Sequence, residues 1–157
     1  MQLENLTSRQ TIFAVASFGG HWIQLLRITR GLADSFTIIY SSTNPKCAAM
    51  VDGSDFVLTT DFSRWNPLRI FPSFFGFLRY FSKNRPQAVI STGAAPGLAA
   101  IIAARLFGIK TIWIDSIANA EKLSFSGRVA RWIASRTYTQ WPDLADGKTL
   151  FVGNVFK

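Results

Sequence analysis

The chain has 157 residues, 48% of them hydrophobic, and a net charge of +8 from 17 Lys+Arg against 9 Asp+Glu. The apolar content excludes a disordered chain, and the length implies one domain, 1–157, large enough to bury most of the surface its unfolded form exposes, behind a polar lead-in at 1–10. The charge favours anionic partners, but the bases are scattered and accompany no recognisable nucleic-acid motif, so a membrane surface or a diphosphate is expected and nucleic acid is not. Cys47 is the single cysteine, which excludes an intramolecular disulfide and a cysteine zinc cluster and fits a reducing compartment. Neither a metal nor a cofactor is expected. The start of the chain has no basic-then-apolar pattern, so no signal peptide is read there, and no window reaches the roughly 18 apolar residues of a spanning helix.

Thr11–Ala16 reads as a strand, Gly19-Gly20 as a tight turn, and Trp22–Leu32 as a helix. Leu25, Ile28 and Leu32 share its apolar side, with Gln24, Arg27 and Asp34 opposite. Glycines at such a turn let a ligand approach the bare main chain, and the first amides of the helix suit a phosphate. Close packing alone is the other reading of the same turn. His21, the only histidine, stands at the helix entrance as a titratable donor or acceptor. Phe36–Tyr40 reads as a second strand, Lys46–Val51 as a short helix and Asp55–Thr59 as a third strand.

Ser63 to Arg85 is dense in aromatic and other apolar residues, with Trp65, Pro67, Leu68, Phe71, Phe74, Phe75, Phe77, Tyr80 and Phe81. From Pro72 onward it predicts a helix, since proline is tolerated in a first turn. Arg64, Arg69, Arg79, Lys83 and Arg85 bracket it. Two readings stand: a crossover helix buried between sheet and neighbours, or a helix that docks on the membrane interface through Phe71, Phe74, Phe75, Phe77 and Arg79.

Gln87–Ser91 is a short strand leading into the loop Thr92–Gly97 and an alanine-rich helix over Leu98–Phe107 that Gly108 stops. Lys110–Ile114 is a strand ending at Asp115-Ser116. Ser126–Ala134 is a helix capped by Ser124 or Ser126, and Arg136–Gln140 and Thr149–Val152 are the last strands. The alternation of strand and helix argues a Rossmann-like α/β fold, a parallel sheet with helices on both faces. The loops Gly19–His21, Thr92–Gly97 and Asp115–Asn119 all follow strands, so they should converge at one sheet edge, two of them suiting a phosphate and the third bringing a carboxylate.

The ordered series is a strand with Gly19-Gly20-His21, then Ser91-Thr92-Gly93 with Pro96-Gly97, Gly108-Ile109-Lys110, Ile114-Asp115-Ser116, Leu123–Arg128, Gln140-Trp141-Pro142 and Gly153-Asn154-Val155. It resembles the amino-terminal half of MurG-type glycosyltransferases of the GT-B fold. It resembles more closely the free-standing version of that half: PssD-type bacterial polysaccharide subunits and the membrane subunit of the two-subunit dolichol-diphosphate N-acetylglucosaminyltransferase. The resemblance implies a single GT-B amino-terminal-type domain that faces a lipid-linked diphosphate sugar acceptor at the cytoplasmic face of the membrane. It also implies a partner protein carrying the donor site.

In that picture Gly19, Gly20, Thr92, Gly93, Gly97, Ser116 and Asn119 hold the acceptor and its diphosphate. Asp115 or His21 is the candidate base, although Asp115 could equally cap the following turn and His21 could be a helix-start donor. Trp141, Asn154, Val155 and Phe156 would meet the partner, although Trp141 could simply pack under the last loop. The function so implied is the acceptor-binding subunit of a glycosyltransferase in exopolysaccharide or capsule synthesis. The rival is a membrane adaptor that recruits a complete glycosyltransferase.

Overall fold

The computed structural model describes residues 9–60 and 70–155. The lead-in before Arg9, the stretch holding Arg64, Trp65, Pro67, Leu68 and Arg69, and the terminal Phe156-Lys157 lie outside the described residues.

The strands are β1 (Thr11–Ala16), β2 (Thr37–Ser42), β3 (Phe56–Leu58), β4 (Ala88–Ser91), β5 (Lys110–Ile114) and β6 (Arg136–Tyr138). The helices are α1 (Gly20–Arg30), α2 (Ile70–Lys83), α3 (Ala94–Leu106) and α4 (Phe125–Ile133), with 3-10 turns at Pro45–Val51 and Pro142–Leu144. The strands form one six-stranded sheet in the order β3-β2-β1-β4-β5-β6, and every pair is parallel. This is a Rossmann-like α/β fold with helices on both faces.

Strand β1 shows why. Successive side chains of a strand point to opposite faces, and both faces of a parallel sheet are covered. Phe13 and Val15 join one apolar cluster with α2, α3 and α4. Ile12, Ala14 and Ala16 join the other, with Trp22 and Leu25 of α1, Tyr40 of β2, and Cys47. All five of these β1 side chains are buried, so the strand is apolar without a break.

Helix α2 decides between its two readings residue by residue. Ser73, Phe77 and Phe81 recur every fourth position and face inward. Phe77 is 3% exposed, meets Phe13 edge-on and stacks on Phe81. Phe77 is therefore core, not a membrane contact, because it lies on the i, i+4 face that the sheet covers. Phe74 is half-buried against the same cluster. Phe71 and Phe75 are exposed, as is Arg79.

Two further expectations change. Thr149–Val152 forms no strand: Leu150 alone bridges Tyr138, donating its N–H to Thr137 O and accepting from Thr139 N. Gln24 is buried rather than on an exposed polar side, because the end of β5 comes over α1 and its loop needs the amide.

Candidate functional site

The chain leaves β1 for β2 and β3 on one side and returns to β4 on the other. The strand order thus reverses between β1 and β4, and in open α/β sheets ligands bind at the carboxyl ends of the strands beside such a reversal. Two helices start at that edge, α1 after β1 and α3 after β4, packed on opposite faces of the sheet.

A reciprocal pair of hydrogen bonds ties the two starts together. Thr92 Oγ1 donates to His21 O at 2.7 Å, and His21 Nδ1 lies 2.9 Å from Thr92 O. A carbonyl oxygen only accepts, so Nδ1 carries the proton in this contact. In the neutral ring Nε2 then holds the free lone pair. Gly93 makes the arrangement possible: it sits at φ +140°, and a Cβ there would lie 2.4 Å from the His21 ring. Ala94, the next residue, takes φ 63°, a left-handed conformation that is uncommon for a residue with a side chain and concentrates at functional sites.

Neither α1 nor α3 receives a side-chain cap, and neither has an acidic residue in its first turn. Gly19 at φ +105° and Gly20 leave open space where side chains would stand. The first amides of a helix have no partner within it and carry partial positive charge, so these two ends suit an anion. Helix α4 is different, for Ser124 Oγ caps it by accepting from Gly127 N at 2.8 Å.

Asp115 stands at the end of β5 and is 1% exposed. Its Oδ1 accepts from Trp113 Nε1 at 3.1 Å and from Ser124 Oγ at 2.6 Å. Its Oδ2 accepts from Ser124 N at 2.9 Å and Asn119 Nδ2 at 3.2 Å. A Cβ on Gly127 would come within 2.5 Å of Oδ1. With both oxygens engaged and covered, this carboxylate is a clamp on the β5–α4 loop, which corrects its reading as a base. Asn119 turns its amide into the same clamp, and Ser116 closes the turn by accepting Ala118 N on Oγ and Asn119 N on its carbonyl.

Gly97 is corrected as well. Helix α3 begins at Ala94 rather than Leu98, so Gly97 lies buried within its first turn. A Cβ there would be 2.0 Å from Ser91 Oγ, so the glycine serves close packing of α3 on β4. Thr92 is fully buried and positions His21 rather than facing the cleft.

Sequence reasoning missed Gln24. Its Nε2 donates to Asp115 O at 3.1 Å and its Oε1 accepts from Ile117 N at 3.1 Å, which fixes the β5 loop over α1. Trp141 Nε1 donates to Ile117 O at 2.8 Å, and Gln140 Oε1 accepts from Val155 N at 3.1 Å. These contacts hold Trp141 and the Asn154–Val155 segment against the same side of the sheet. There a groove of about 420 Å³ runs between α1 and the outer strands, lined by Ile28, Leu32, Ile112, Ile114, Val152 and Val155 among others. Among the described residues no group of three or more His, Cys, Asp or Glu is placed to hold a metal ion, and no helix is long and apolar enough to cross a membrane.

No family model matches the chain. It is 21% identical over 187 residues to the UDP-N-acetylglucosamine transferase subunit ALG14 of mouse, a match that covers 96% of this chain and 86% of that one. Among solved structures it is similar to MurG of Acinetobacter baumannii, with a TM-score of 0.77 at 16% identity, covering 91% of this chain and 45% of that one. It is also similar to the UDP-N-acetylglucosamine 2-epimerase of Rickettsia bellii, with a TM-score of 0.72 at 14% identity, covering 94% of this chain and 46% of that one. The chain thus spans less than half the length of these solved structures. It is similar in sequence to one glycosyltransferase subunit and has the fold of one half of MurG-like GT-B proteins.

Proposed function

We propose that this chain is the acceptor-binding, membrane-docking subunit of a two-subunit inverting glycosyltransferase. It takes an undecaprenyl-diphosphate-linked sugar at the cytoplasmic face of the membrane, in exopolysaccharide or capsule synthesis, and a partner brings the nucleotide-sugar donor. The observation that carries this reading is the pair of uncapped helix starts held together at the strand-order reversal by His21 and Thr92. The amides after Gly19 and Gly93 receive the acceptor diphosphate. His21 Nε2 takes the proton of the acceptor hydroxyl as its oxygen attacks the anomeric carbon and the nucleoside diphosphate departs with the electron pair of the broken bond. Phe71 and Phe75 of α2 touch the membrane, with Arg79 beside them. The groove under Val152 and Val155, with Trp141 and Asn154 beside it, takes the partner, since parallel strands are ordinarily covered on both faces.

The test is reconstitution. The chain, the candidate donor subunit and their mixture are each assayed with nucleotide sugar and lipid-linked acceptor. Product is expected only from the mixture. Turnover by this chain alone contradicts the two-subunit reading, and full turnover by the partner alone establishes the adaptor reading in its place. Val152 is exposed beside the groove, so Val152→Asp is expected to weaken capture of the donor subunit at least about tenfold while leaving the melting temperature unchanged. Unaltered capture would place the interface elsewhere.

A further inference from the structure

Helices α2, α3 and α4 lie side by side on one face of the sheet, and α4 turns its two aromatic side chains outward. Its buried residues are Gly127 and Ala130, the small ones. Phe125 is 74% exposed and Trp132 is 70% exposed. Phe125, Arg128 and Trp132 recur at i, i+3 and i+7, so they form one outward stripe. At Gly127 the Asp115 clamp leaves no room for a side chain, and further along Ile133 is half-buried against the core.

Cations lie over the exposed rings. The Arg128 guanidinium is 5.8 Å from the centre of Phe125, and Lys148 Nζ is 3.0 Å from the centre of Trp132. Arg131 also reaches Trp132 but is paired with Asp146, whose carboxyl the backbone N–H groups of Lys148 and Thr149, with Arg131, hold below the usual range. The rest of the layer has the same character. Helix α3 ends in exposed Arg105 and Leu106, and α2 exposes Phe71, Phe75, Arg79 and Lys83. The sequences of these three helices contain no Asp or Glu.

We infer that the whole outer face of the α2–α3–α4 layer lies on an anionic lipid bilayer, with Phe125 and Trp132 of α4 as a second row of inserting side chains beside Phe71 and Phe75. Such a face is an in-plane amphipathic surface: aromatic rings enter the boundary between headgroups and acyl chains, and the long cations reach back to lipid phosphates. The three helices bring no carboxylate for an anionic surface to repel, and Asp146 beside them is paired with Arg131. The inference rests on the membrane-docking part of the proposed function and widens it from one helix to a face. It does not depend on sugar transfer.

The full chain is sedimented with vesicles of phosphatidylcholine, alone or with phosphatidylglycerol, at low and high salt. Binding is expected with the anionic vesicles and is weakened by salt. Phe125→Ser combined with Trp132→Ser is expected to weaken partitioning about tenfold with an unchanged thermal melt, because both side chains are exposed in the free chain. Lipids brominated on the acyl chains are expected to quench part of the tryptophan emission, and Trp132→Phe to remove that part. Partitioning of the double variant equal to wild type, or quenching unaffected by Trp132→Phe, overturns the inference. So does loss of donor-subunit capture by the double variant with vesicle binding intact, which assigns the row to a protein partner. Failure of transfer in the reconstituted complex with these vesicle results intact counts against the proposed function and leaves this inference standing.

Discussion

Asp115→Ala is expected to lower the unfolding free energy by roughly 3 kcal/mol, because it strands four donors at once, the Trp113 indole fully buried and the others partly. Trp113 Nε1, Ser124 N, Ser124 Oγ and Asn119 Nδ2 all lose their acceptor. The α4 cap weakens with them, since the hydroxyl that caps α4 is oriented by its bond to Oδ1. Asp115→Asn keeps the shape but turns an NH₂ toward donors, so an intermediate loss is expected. Urea titration of the isolated chain reads both. A catalytic carboxylate would give the opposite pattern, a folded protein of full stability without turnover. A melt of Asp115→Ala indistinguishable from wild type would refute the clamp.

The difference between those two readings explains what sequence can carry here. The unbroken apolar run of β1, the glycines at the β1–α1 turn and the order of strand and helix are local signals, and they point to the sheet and to the edge at which its loops meet. The role of Asp115 is set by how its own loop folds back on it, although every partner lies within nine residues of it. Its partners include Asn119 and Ser124 in the loop and Trp113 behind it, and a carboxylate after a strand looks the same in sequence whether it faces a cleft or a ring of donors. Gln24 is illegible for a different reason, because its two partners, Asp115 and Ile117, lie in the loop after β5, far along the chain. In sequence Gly97 reads as the end of the loop Thr92–Gly97, with the helix starting at Leu98. Proline within a first turn is equally compatible with a helix that begins at Ala94. In sequence Phe77 and its aromatic neighbours read as one patch, whereas the helical period splits Phe71 and Phe75 from Phe77 and Phe81.

The surfaces then divide the work of the proposed complex. The α2–α3–α4 face carries rings and cations suited to a membrane, the α1 face carries an apolar groove beside Trp141, and the edge between them carries the helix starts. In the proposed complex a diphosphate at that edge would sit between a lipid tail on one side and a donor subunit on the other, the arrangement that the proposed transfer to a lipid-linked acceptor needs.

His21→Ala is expected to lower turnover of the reconstituted complex by roughly 100- to 10,000-fold, the usual contribution of a positioned proton-transfer group. The expectation follows from the tautomer. Thr92 O holds the proton on Nδ1 and leaves the lone pair on Nε2, at the other edge of a ring that stands in the first turn of α1. A strut at the helix entrance would need only the Nδ1 contact, and His21→Asn separates the two roles. The asparagine amide can donate to Thr92 O but offers no basic nitrogen where Nε2 stood. Both variants are therefore expected to be slow, with capture of the donor subunit and vesicle binding unchanged. Turnover of His21→Asn within about tenfold of wild type would make His21 a strut and remove it from the base role.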